Sequence, residues 1–451
     1  MVARVVVAAP GTGQGKTSVA TGLMAALRAR GLAVSGHKIG PDFIDPGYHA
    51  LATGRPPRNL DPILQGEDTV APLLAHGARA ADVAVLEGVM GLFDGALGTS
   101  GRASTAHVAE LVSAPVVLVV DAWTASRSIA ATVWGFANYS PAVTVAGVIL
   151  NRVNARALDE EIREALAPTG VPVLGVLPYD ETVQVPDRHL GLVPAGEQGV
   201  AGARLVERLG EWVASGVDLD AVVRVARSTP PLSAVAWDPA RHVSAGQRRR
   251  VVAAASGAAF TFRYTETTEL LAAAGLDVVD VDPLRDETLP EGTAGLYFGG
   301  GFPEVHAERL ADNTRLRHDV ARQVGDGMPV VAECAGLLYL CRELDGVPMV
   351  GAIDAVGRMT TGGELGYREA VSPGESLLTD RGDRVAGHEF HRTAVQPRQG
   401  TTPAWEWEGR REGFASATLH ASYLHVHWAG HPALARRFAT AVHARATHPK
   451  E

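Results

Sequence analysis

Short apolar and β-branched runs recur along the first half of the chain. They lie at Arg4 to Ala9, Val83 to Leu86, Val116 to Ala122, Val145 to Val153 and Val171 to Pro178. Continuous apolar runs of this length are typical of buried strands, and segments with helical spacing separate them. The pattern predicts a mostly parallel, doubly wound α/β sheet in this half of the chain.

The pattern changes after Pro178, where the periodic signal weakens. Residues 187–200 have the composition of a loop, and Ala203 to Val225 has the spacing of an amphipathic helical region. Residues 228–250 contain the Pro, Ser and Arg residues of a linker. We therefore predict a first domain at residues 1–227, a linker at 228–248 and a second domain at 249–445.

A second α/β pattern follows this linker. A buried strand begins at Arg250, a helical stretch covers Thr265 to Ala274, and further strands are predicted at residues 277–284 and 294–301. Near the C-terminus, Ser422 to Trp428 (SYLHVHW) alternates in the manner of a strand. A chain of 451 residues exceeds one ordinary core, which agrees with two domains.

Composition narrows the classes of function. The formal net charge is −9, and no basic stripe with interleaved aromatic residues indicates a nucleic-acid partner, so a small-molecule substrate is expected. No apolar run approaches the roughly 18 residues of a membrane span, and the apolar N-terminus is too short for a secretory signal. The two cysteines lack metal-site spacing, which favours a cytoplasmic location.

Residues 10–17, PGTGQGKT, connect the first predicted strand to a helix. In a P-loop of this kind, backbone N–H groups cradle phosphates, the Lys reaches the terminal phosphates and the Thr ligates Mg²⁺. The strict motif has Gly six residues before the Lys, where this chain has Pro10, and the alternative is an ordinary Gly-rich turn. The predicted ATP contacts here are Gly13, Gly15, Lys16, Thr17 and Ser18.

Lysine is rare in this chain, which has only Lys16, Lys38 and Lys450. Because the chain uses Arg at almost all other basic positions, we expect Lys16 and Lys38 to lie where a compact ammonium group is required and a guanidinium would not substitute. Lys38 ends a predicted strand that runs into GPDFIDPGYH, where Asp42 and Asp45 could meet a metal ion or a substrate at the C-terminal edge of the sheet. The alternative for these carboxylates is a solvated loop with turn-forming residues.

Two later strand ends carry polar residues as well. Glu87 follows a buried run and fits a second contact to Mg²⁺, and Asp94 in GLFDG lies nearby in sequence. Asn151 ends another strand and is a candidate for contact with the nucleotide base, although an Asn in such a position is also a common turn residue.

The second half has the parts of a nucleophilic site. In VVAECAGLLYL an apolar run ends at Cys334 and a helical pattern follows, as when a nucleophile is raised on a strand-to-helix turn. FGGGFPE places Gly300 and Gly301 at a strand end, where backbone N–H groups can bind an oxyanion or an amide. His425 or His427 could supply the base that a Cys nucleophile needs. The alternative for Cys334 is the role of a small buried residue, which is what we expect for Cys341.

Together these motifs resemble a known family. GGGFPE, VVAECAG and SYLHVHW resemble the class I, triad-type glutamine amidotransferase domain in the variant of the cobalamin-pathway amidases. GTGQGKT, GPDFIDPGYH, EGVMGLFDG and VILNRV resemble the dethiobiotin-synthetase-like ATPase domain of the same enzymes. The resemblance covers nearly the whole chain and is to the a,c-diamide synthases of cobyrinic or hydrogenobyrinic acid, with GPDFIDPGYH and GHEFHRT as its most specific parts.

The resemblance implies a role for each candidate residue. Cys334 would be the nucleophile and His425 its base, with His427 where the wider class has an acidic residue, so a Cys–His dyad is expected. Glu389 and His391 of GHEFHRT would lie near this cavity without assigned roles. The oxyanion and glutamine contacts would be Gly300 and Gly301, the Mg²⁺ contacts Thr17, Asp42 and Glu87, and the substrate or acyl-phosphate contacts Lys38, Asp45, Tyr48 and Asp94.

The implied reaction uses ATP, Mg²⁺ and L-glutamine to amidate the a and c carboxylates of a tetrapyrrole. A homodimer is the expected assembly, and neither a nucleic-acid nor a membrane partner is expected. One alternative is a cobyric acid synthase or another amidase that acts on a different acid. A non-enzymatic alternative is a P-loop regulatory switch with an inactive amidotransferase domain, which a glutaminase assay would distinguish.

Overall fold

The structure, a computed structural model, describes residues 2–185, 187–188, 191–246 and 248–445. Lys450 and part of the loop-like stretch 187–200 lie outside the described residues. The chain forms two compact units, Met1–Trp237 and Asp238–Glu451, and the division falls within the predicted linker. Among the described residues, no helix combines the length and the apolar character needed to cross a bilayer.

The first unit is built on a seven-stranded sheet of order β3-β2-β4-β1-β5-β6-β7, in which every neighbouring pair is parallel. The central strands are buried along almost their whole length, which explains their continuous apolar sequence. The predicted doubly wound sheet is therefore confirmed. Its strands are β1 Arg4–Ala8, β2 Val34–Ile39, β3 Arg58–Leu60, β4 Val83–Glu87, β5 Val116–Asp121, β6 Val145–Asn151 and β7 Val173–Val176.

Helices connect these parallel strands. They are α1 Lys16–Ala29, α2 Asp45–Thr53, α3 Glu67–Gly77, α4 Thr105–Leu111, α5 Ser128–Asn138 and α6 Arg156–Leu166, with a 3₁₀ turn at Ala167–Thr169. After β7 come a 3₁₀ turn at Glu181–Val183 and the helices α7 Ala195–Gln198, α8 Val200–Gly216 and α9 Leu219–Arg227. The predicted helical region at 203–225 is thus two helices, because Val217 is extended and Asp218 caps α9 by accepting from the Ala221 N–H.

The loop predicted at residues 187–200 is wrong in part. It contains two short paired strands, β8 Asp187–Arg188 and β9 Gly191–Leu192, and then α7. Strands of two residues and a helix of four are too short to leave a periodic signal in the sequence.

The second unit contains a six-stranded sheet of order β11-β10-β12-β13-β21-β20, parallel except for the last pair. Its strands are β10 Arg250–Ala255, β11 Leu276–Val281, β12 Thr293–Phe298, β13 Val330–Glu333, β20 Phe414–Ala415 and β21 Leu419–Ser422. The helices of this unit are α10 Thr265–Ala273, α11 Ala307–Asp312, α12 Thr314–Gly325, α13 Ala335–Leu340 and α14 Pro432–Ala444, with 3₁₀ turns at Pro239–Arg241 and Pro303–His306.

A second sheet in this unit is mainly antiparallel. Its centre is the long pair β16 Val356–Val371 and β17 Arg384–Gln396. The other strands are β14 Glu343–Leu344, β15 Val347–Pro348, β18 Trp405–Trp407, β19 Arg410–Glu412 and β22 His425–Val426. Cys334 and Cys341 both lie in the hydrophobic core between these elements, as expected for Cys341.

The single strand predicted at Ser422 to Trp428 is wrong. Ser422 ends β21 in the parallel sheet, whereas His425 and Val426 form β22 and pair with β17 in the other sheet. Every residue of this stretch is buried, so its alternation does not mark one exposed and one buried face. The chain passes from one sheet to the other here, which brings His425 to the junction of the two sheets.

Candidate active sites

The loop after β1 has the backbone geometry of an anion-binding site. Gly13 and Gly15 have φ of 82° and 87°, a region that L side chains rarely adopt, and α1 begins directly at Lys16. The N-terminal N–H groups of this helix lack partners within it and favour negative charge. Lys16 Nζ donates to the Met90 carbonyl oxygen at 3.1 Å, so its ammonium lies between the P-loop and the loop after β4.

A buried cluster of charges lies beside this loop. Lys38 Nζ donates to Asp45 Oδ2 at 2.6 Å and to Glu87 Oε1 at 3.0 Å. The Thr17 hydroxyl donates to the same Glu87 oxygen at 2.7 Å and lies 3.4 Å from Asp45 Oδ2. The ends of β2 and β4 and the starts of α1 and α2 therefore bring these four side chains to one point.

Burial and the neighbouring charges shift the pKa values of the side chains in this cluster. Burial disfavours the ammonium of Lys38, but Asp45 and Glu87 outweigh it and raise the pKa of Lys38 above its ordinary value. Burial and the nearby carboxylates of Asp42 and Glu87 raise the pKa of Asp45. The pKa of Glu87 is lowered despite its burial, because Lys38 and His49 stabilise its charge. Lys38 and Glu87 are thus the fixed charges of the cluster.

The oxygens of Thr17, Asp45 and Glu87 suit Mg²⁺, which prefers hard oxygen ligands and usually keeps several waters and phosphate oxygens in its shell. Within the described ranges, no group of three or more His, Cys, Asp or Glu side chains could hold a metal by itself. The residues therefore fit a cation that arrives with the nucleotide phosphates better than a cation held by protein alone.

Asp42 and Asp94 hold turns beside this cluster. Asp42 Oδ1 accepts from the backbone N–H groups of Ile44 and Asp45, at 2.7 and 3.2 Å, and its Oδ2 is 3.9 Å from Lys38 Nζ. Asp94 Oδ2 accepts from the Gly91 N–H at 2.9 Å. Asp45 was expected from the sequence to contact the substrate or acyl phosphate. It instead occupies the position beside Thr17 and Glu87 that Asp42 was expected to take.

Two other candidates in this unit are committed to internal contacts. Tyr48 is fully buried, and its hydroxyl donates to the Val193 carbonyl oxygen at 2.6 Å, so its ring does not face a substrate in this structure. Asn151 Nδ2 donates to the Gln14 carbonyl oxygen at 3.0 Å, and a Cβ on Gly15 would lie 2.2 Å from the same atom. Asn151 therefore packs against the P-loop and holds its backbone.

Exposed aromatic rings lie at the same edge of the sheet. Trp123 follows β5 and Tyr179 follows β7, and their ring centroids are 5.2 Å apart. Their side chains remain 54% and 40% exposed, although large aromatic residues usually contribute to burial. The two rings, tilted by 52° to each other, present exposed apolar surface at the carboxyl edge of the strands, where open α/β sheets bind nucleotides.

In the second unit, Cys334 occupies a strained elbow. Its φ is 49°, a conformation that non-glycine residues rarely adopt, and it links β13 directly to α13. The Cys334 N–H donates to the Ser422 carbonyl oxygen at 2.8 Å, which fixes the elbow to the end of β21. Strain of this kind is typical of a nucleophile held on a sharp strand-to-helix turn.

The surroundings of the Cys334 thiol favour its neutral form. Burial, followed by the negative charge of Glu304, raises the pKa of Cys334, and Glu333 and Glu389 act in the same direction. The N–H of Ala335 donates to the sulfur and opposes this shift only in part. A reaction at this sulfur therefore needs a base that removes its proton.

The Gly-rich strand end touches both the elbow and His425. The Gly336 N–H donates to the Gly299 carbonyl oxygen at 3.1 Å. A Cβ on Gly300 would lie 2.5 Å from His425 Cε1, so the imidazole packs directly on this glycine. The structure thus brings the strand end, Cys334 and His425 to one locality.

Backbone hydrogen bonds distinguish the two glycines expected to bind an oxyanion. Gly300 exchanges two hydrogen bonds with Phe262, each at 3.0 Å, so its N–H is already used. The Gly301 N–H has no hydrogen-bond partner in the part of the chain that the structure describes. Gly301 is therefore the better placed donor of the two.

The remaining polar residues of this unit form separate pairs. Glu389 accepts from Arg368 Nε at 2.7 Å, and its other oxygen is 3.6 Å from His391 Nε2. His427 Nε2 is 3.5 Å from Glu266 Oε2, and both side chains are fully buried. His427 is thus paired with α10 and not with the segment that carries Cys334.

Comparison with known proteins agrees with this architecture. Residues 5–193 match the model of the CobQ/CobB/MinD/ParA nucleotide binding domain, and residues 251–433 match that of the CobB/CobQ-like glutamine amidotransferase domain. The chain is 56% identical to the hydrogenobyrinate a,c-diamide synthase of Streptomyces coelicolor over 97% of each chain. It is 57% identical to the protein of that name from Thermobifida fusca, over 97% of this chain and 96% of the relative.

A more distant relative is the cobyrinate a,c-diamide synthase of Synechococcus, which is 40% identical over 96% of this chain and 97% of its own. The chain belongs to the a,c-diamide synthase family. The resemblance inferred from the sequence motifs is thereby confirmed, as is the pairing of a P-loop domain with a glutamine amidotransferase domain.

Sequence reasoning missed one polar contact in the P-loop site of this a,c-diamide synthase family member. His49 Nε2 lies 2.7 Å from Glu87 Oε2, with both side chains fully buried. His49 follows Asp45 by one helical turn on α2, so a helix assigned from Asp45 would have placed both side chains on one face. The dense Gly, Pro and Asp content of this stretch concealed that helix.

The contact between Gly300 and His425 gives a first testable prediction. Gly300→Ala should displace the imidazole, because the new Cβ would lie 2.5 Å from His425 Cε1. We expect glutamine-dependent activity to fall by about 10²-fold, the scale of a small misplacement of a catalytic group. Activity with ammonium chloride should remain, and steady-state assays with the two nitrogen sources would measure the difference.

Gly325→Ala is the matched control for this change. Gly325 ends α12 in the same unit, and a Cβ there would meet nothing within 4 Å. It should keep both activities. Normal glutamine-dependent activity in a folded Gly300→Ala protein would show that the position of His425 does not matter for the reaction.

Proposed function

We propose that the chain converts the a and c carboxylates of hydrogenobyrinate to carboxamides, with glutamine as nitrogen donor and ATP as the source of activation. The observation that carries this proposal is the presence, in one chain, of a P-loop charge cluster and a strained Cys elbow beside a buried His. The names of the relatives supply the acceptor.

In the glutaminase half, His425 removes the proton of Cys334 and the sulfur attacks the side-chain amide carbon of glutamine. The resulting oxyanion is bound by the Gly301 N–H, and the N–H of Ala335, which donates to the sulfur before the reaction, becomes available to it once the sulfur has bonded to carbon. Collapse of this intermediate releases ammonia and leaves a thioester. Water then hydrolyses the thioester to glutamate and restores the thiol.

In the ATP half, a carboxylate oxygen of the macrocycle attacks the γ-phosphorus and ADP leaves. The acyl phosphate that forms is attacked by ammonia, which gives the carboxamide and inorganic phosphate. A free carboxylate is a poor acceptor for an amine, so this activation is required. The chain's own contribution is positioning and charge stabilisation, as in phosphoryl transfer generally.

Each residue of the P-loop cluster has a task in this scheme. Lys16 binds the terminal phosphates, and the P-loop N–H groups hold the rest of the chain of phosphates. Magnesium bound with ATP would neutralise phosphate charge beside Thr17, Asp45 and Glu87. Lys38, held by Asp45 and Glu87, stabilises the negative charge of the attacking carboxylate and of the phosphoryl group in transfer.

The metal-free macrocycle is the preferred acceptor. The relatives at 56% and 57% identity are named for hydrogenobyrinate, whereas the relative at 40% is named for cobyrinate. The high Arg and Ala content of the chain resembles high-GC bacterial proteins, which agrees with that choice. The homodimer, the cytoplasmic location and the absence of nucleic-acid and membrane partners remain predictions.

Product analysis tests this function directly. The protein is incubated with MgATP, glutamine and either hydrogenobyrinate or cobyrinate, and the macrocycle is examined by mass spectrometry. Each conversion of a carboxylate to a carboxamide lowers the mass by nearly one unit, so two such shifts are expected with hydrogenobyrinate. Efficient conversion of cobyrinate alone would assign the cobalt-containing acceptor, and no conversion of either would exclude the proposed function.

A further inference from the structure

The orientation of His425 requires a partner that the sequence motif does not supply. A histidine that acts as base needs its second ring nitrogen held, because that contact fixes the tautomer and the plane of the ring. Two residues further on, the chain has His427, whose Nε2 lies 3.5 Å from Glu266 Oε2. The partner of His425 must therefore come from another element.

Glu333 lies in the right place. Its Oε2 is 3.8 Å from His425 Nδ1, and both side chains are buried. The Tyr297 hydroxyl donates to the same carboxylate oxygen at 3.1 Å. Glu333 is the last residue of β13 and is paired in register with Ser422 of β21, so the sheet fixes it beside the segment that leads to His425.

Two other buried carboxylates of this unit already have partners of their own. Glu389 is engaged by Arg368 and lies near His391, and Glu266 lies near His427. His388 faces His425 across the β17–β22 pair and can offer no negative charge. The 3.8 Å separation is longer than a hydrogen bond, and catalytic contacts of this kind commonly shorten when substrate is bound.

We propose that Glu333 is the third member of the glutaminase site and positions His425. Its carboxylate accepts from the Nδ1–H of His425, which leaves Nε2 to take the proton of Cys334. The same negative charge stabilises the imidazolium that forms when the thiolate attacks glutamine. The residue directly before the nucleophile thus performs the task that the wider class gives to an acidic residue after the base. This inference rests on the proposed glutaminase function.

Glu333→Gln tests the proposal with little change of shape. The amide can still accept from Tyr297, but it carries no charge for an imidazolium. We expect kcat for glutamine hydrolysis to fall by about 10²-fold, within the range for loss of a supporting carboxylate, with KM nearly unchanged. Glu333→Asp, which keeps the charge, should retain more activity than Glu333→Gln, and amidation with ammonium chloride should be normal in both.

Glu266→Gln is the matched control, because it neutralises a buried carboxylate beside His427. The kcat of this variant should stay close to that of the unmodified protein. Circular dichroism would confirm that each variant is folded. A folded Glu333→Gln protein with unchanged kcat would overturn the role of Glu333 while leaving the glutaminase function intact. Absence of glutamine hydrolysis in the unmodified protein would instead contradict the proposed function.

A second measurement does not depend on any Glu333 variant. Nitrogen-15 NMR of histidine side chains in the unmodified protein reports which ring nitrogen carries the proton, and a His425→Gln protein assigns the signal. The proposal requires neutral His425 to carry its proton on Nδ1. An Nε2–H tautomer would contradict it.

Discussion

Cys334→Ala is expected to abolish glutamine-dependent amidation and to preserve amidation with ammonium chloride. In the proposed mechanism the sulfur forms the covalent bond to glutamine, and the residues on either side of it, Glu333 and Ala335, carry no thiol. We expect glutamine-dependent turnover to fall by at least about 10³-fold, as is usual when a covalent nucleophile is removed. Parallel assays with saturating glutamine and with ammonium chloride, each followed by mass spectrometry of the macrocycle, would measure both reactions.

Cys341→Ala provides the matched cysteine control. Cys341 is fully buried seven positions further along, and its Sγ donates to the Leu337 carbonyl oxygen at 3.3 Å, which is an ordinary core contact. This variant should keep both activities and lose only about 1 kcal/mol of stability. Persistent glutamine-dependent activity in Cys334→Ala would show that the nucleophile lies elsewhere.

Lys16→Ala is expected to abolish amidation with either nitrogen source. Its ammonium lies at the start of α1 beside the loop after β4, where the terminal phosphates of ATP would bind. Burial and the nearby Lys38 lower the pKa of Lys16, which disfavours its ammonium form. A bound phosphate dianion would stabilise this ammonium, and the ammonium would in turn hold the phosphate. Without this contact, activation of the carboxylate should fall by about 10³-fold.

Arg30→Ala, at the other end of the same helix, removes a positive charge that is distant from the phosphates. Arg30 forms an exposed pair with Asp220 at 2.8 Å, and pairs of this kind contribute little to stability. Its activity should be unchanged. Amidation by Lys16→Ala with ammonium chloride at the normal rate would remove the P-loop from the mechanism.

The P-loop and the Cys elbow were accessible from the sequence because each is a contiguous motif. Gly15, directly before Lys16, has a positive φ and so shapes the turn into α1. A nucleophile at the end of a β-branched run is likewise placed by the residues next to it in sequence. The parallel sheet was also predictable, since strands buried on both faces need continuous apolar residues.

The partners of these motifs were less accessible. Lys38 and Glu87 are 49 residues apart and meet only because β2 and β4 are neighbours in the sheet. The sequence did not show that Asp45, and not Asp42, would lie beside Thr17 and Glu87. This depends on where α2 begins, because its first residue, Asp45, is directed inwards while Asp42 holds the preceding turn. Tyr48 and Asn151 had the right residue types, but their hydroxyl and amide are used within the protein.

By itself, the sequence determined the family, the two α/β domains, the P-loop and the two residues proposed for glutamine hydrolysis, because local motifs carry that information. Only the tertiary structure decided which groups surround them. The crossing of Ser422 to Trp428 between two sheets places His425 against Gly300 and near Glu333. Contacts between distant strands arise from the order of strands and their register, which no short stretch of sequence contains.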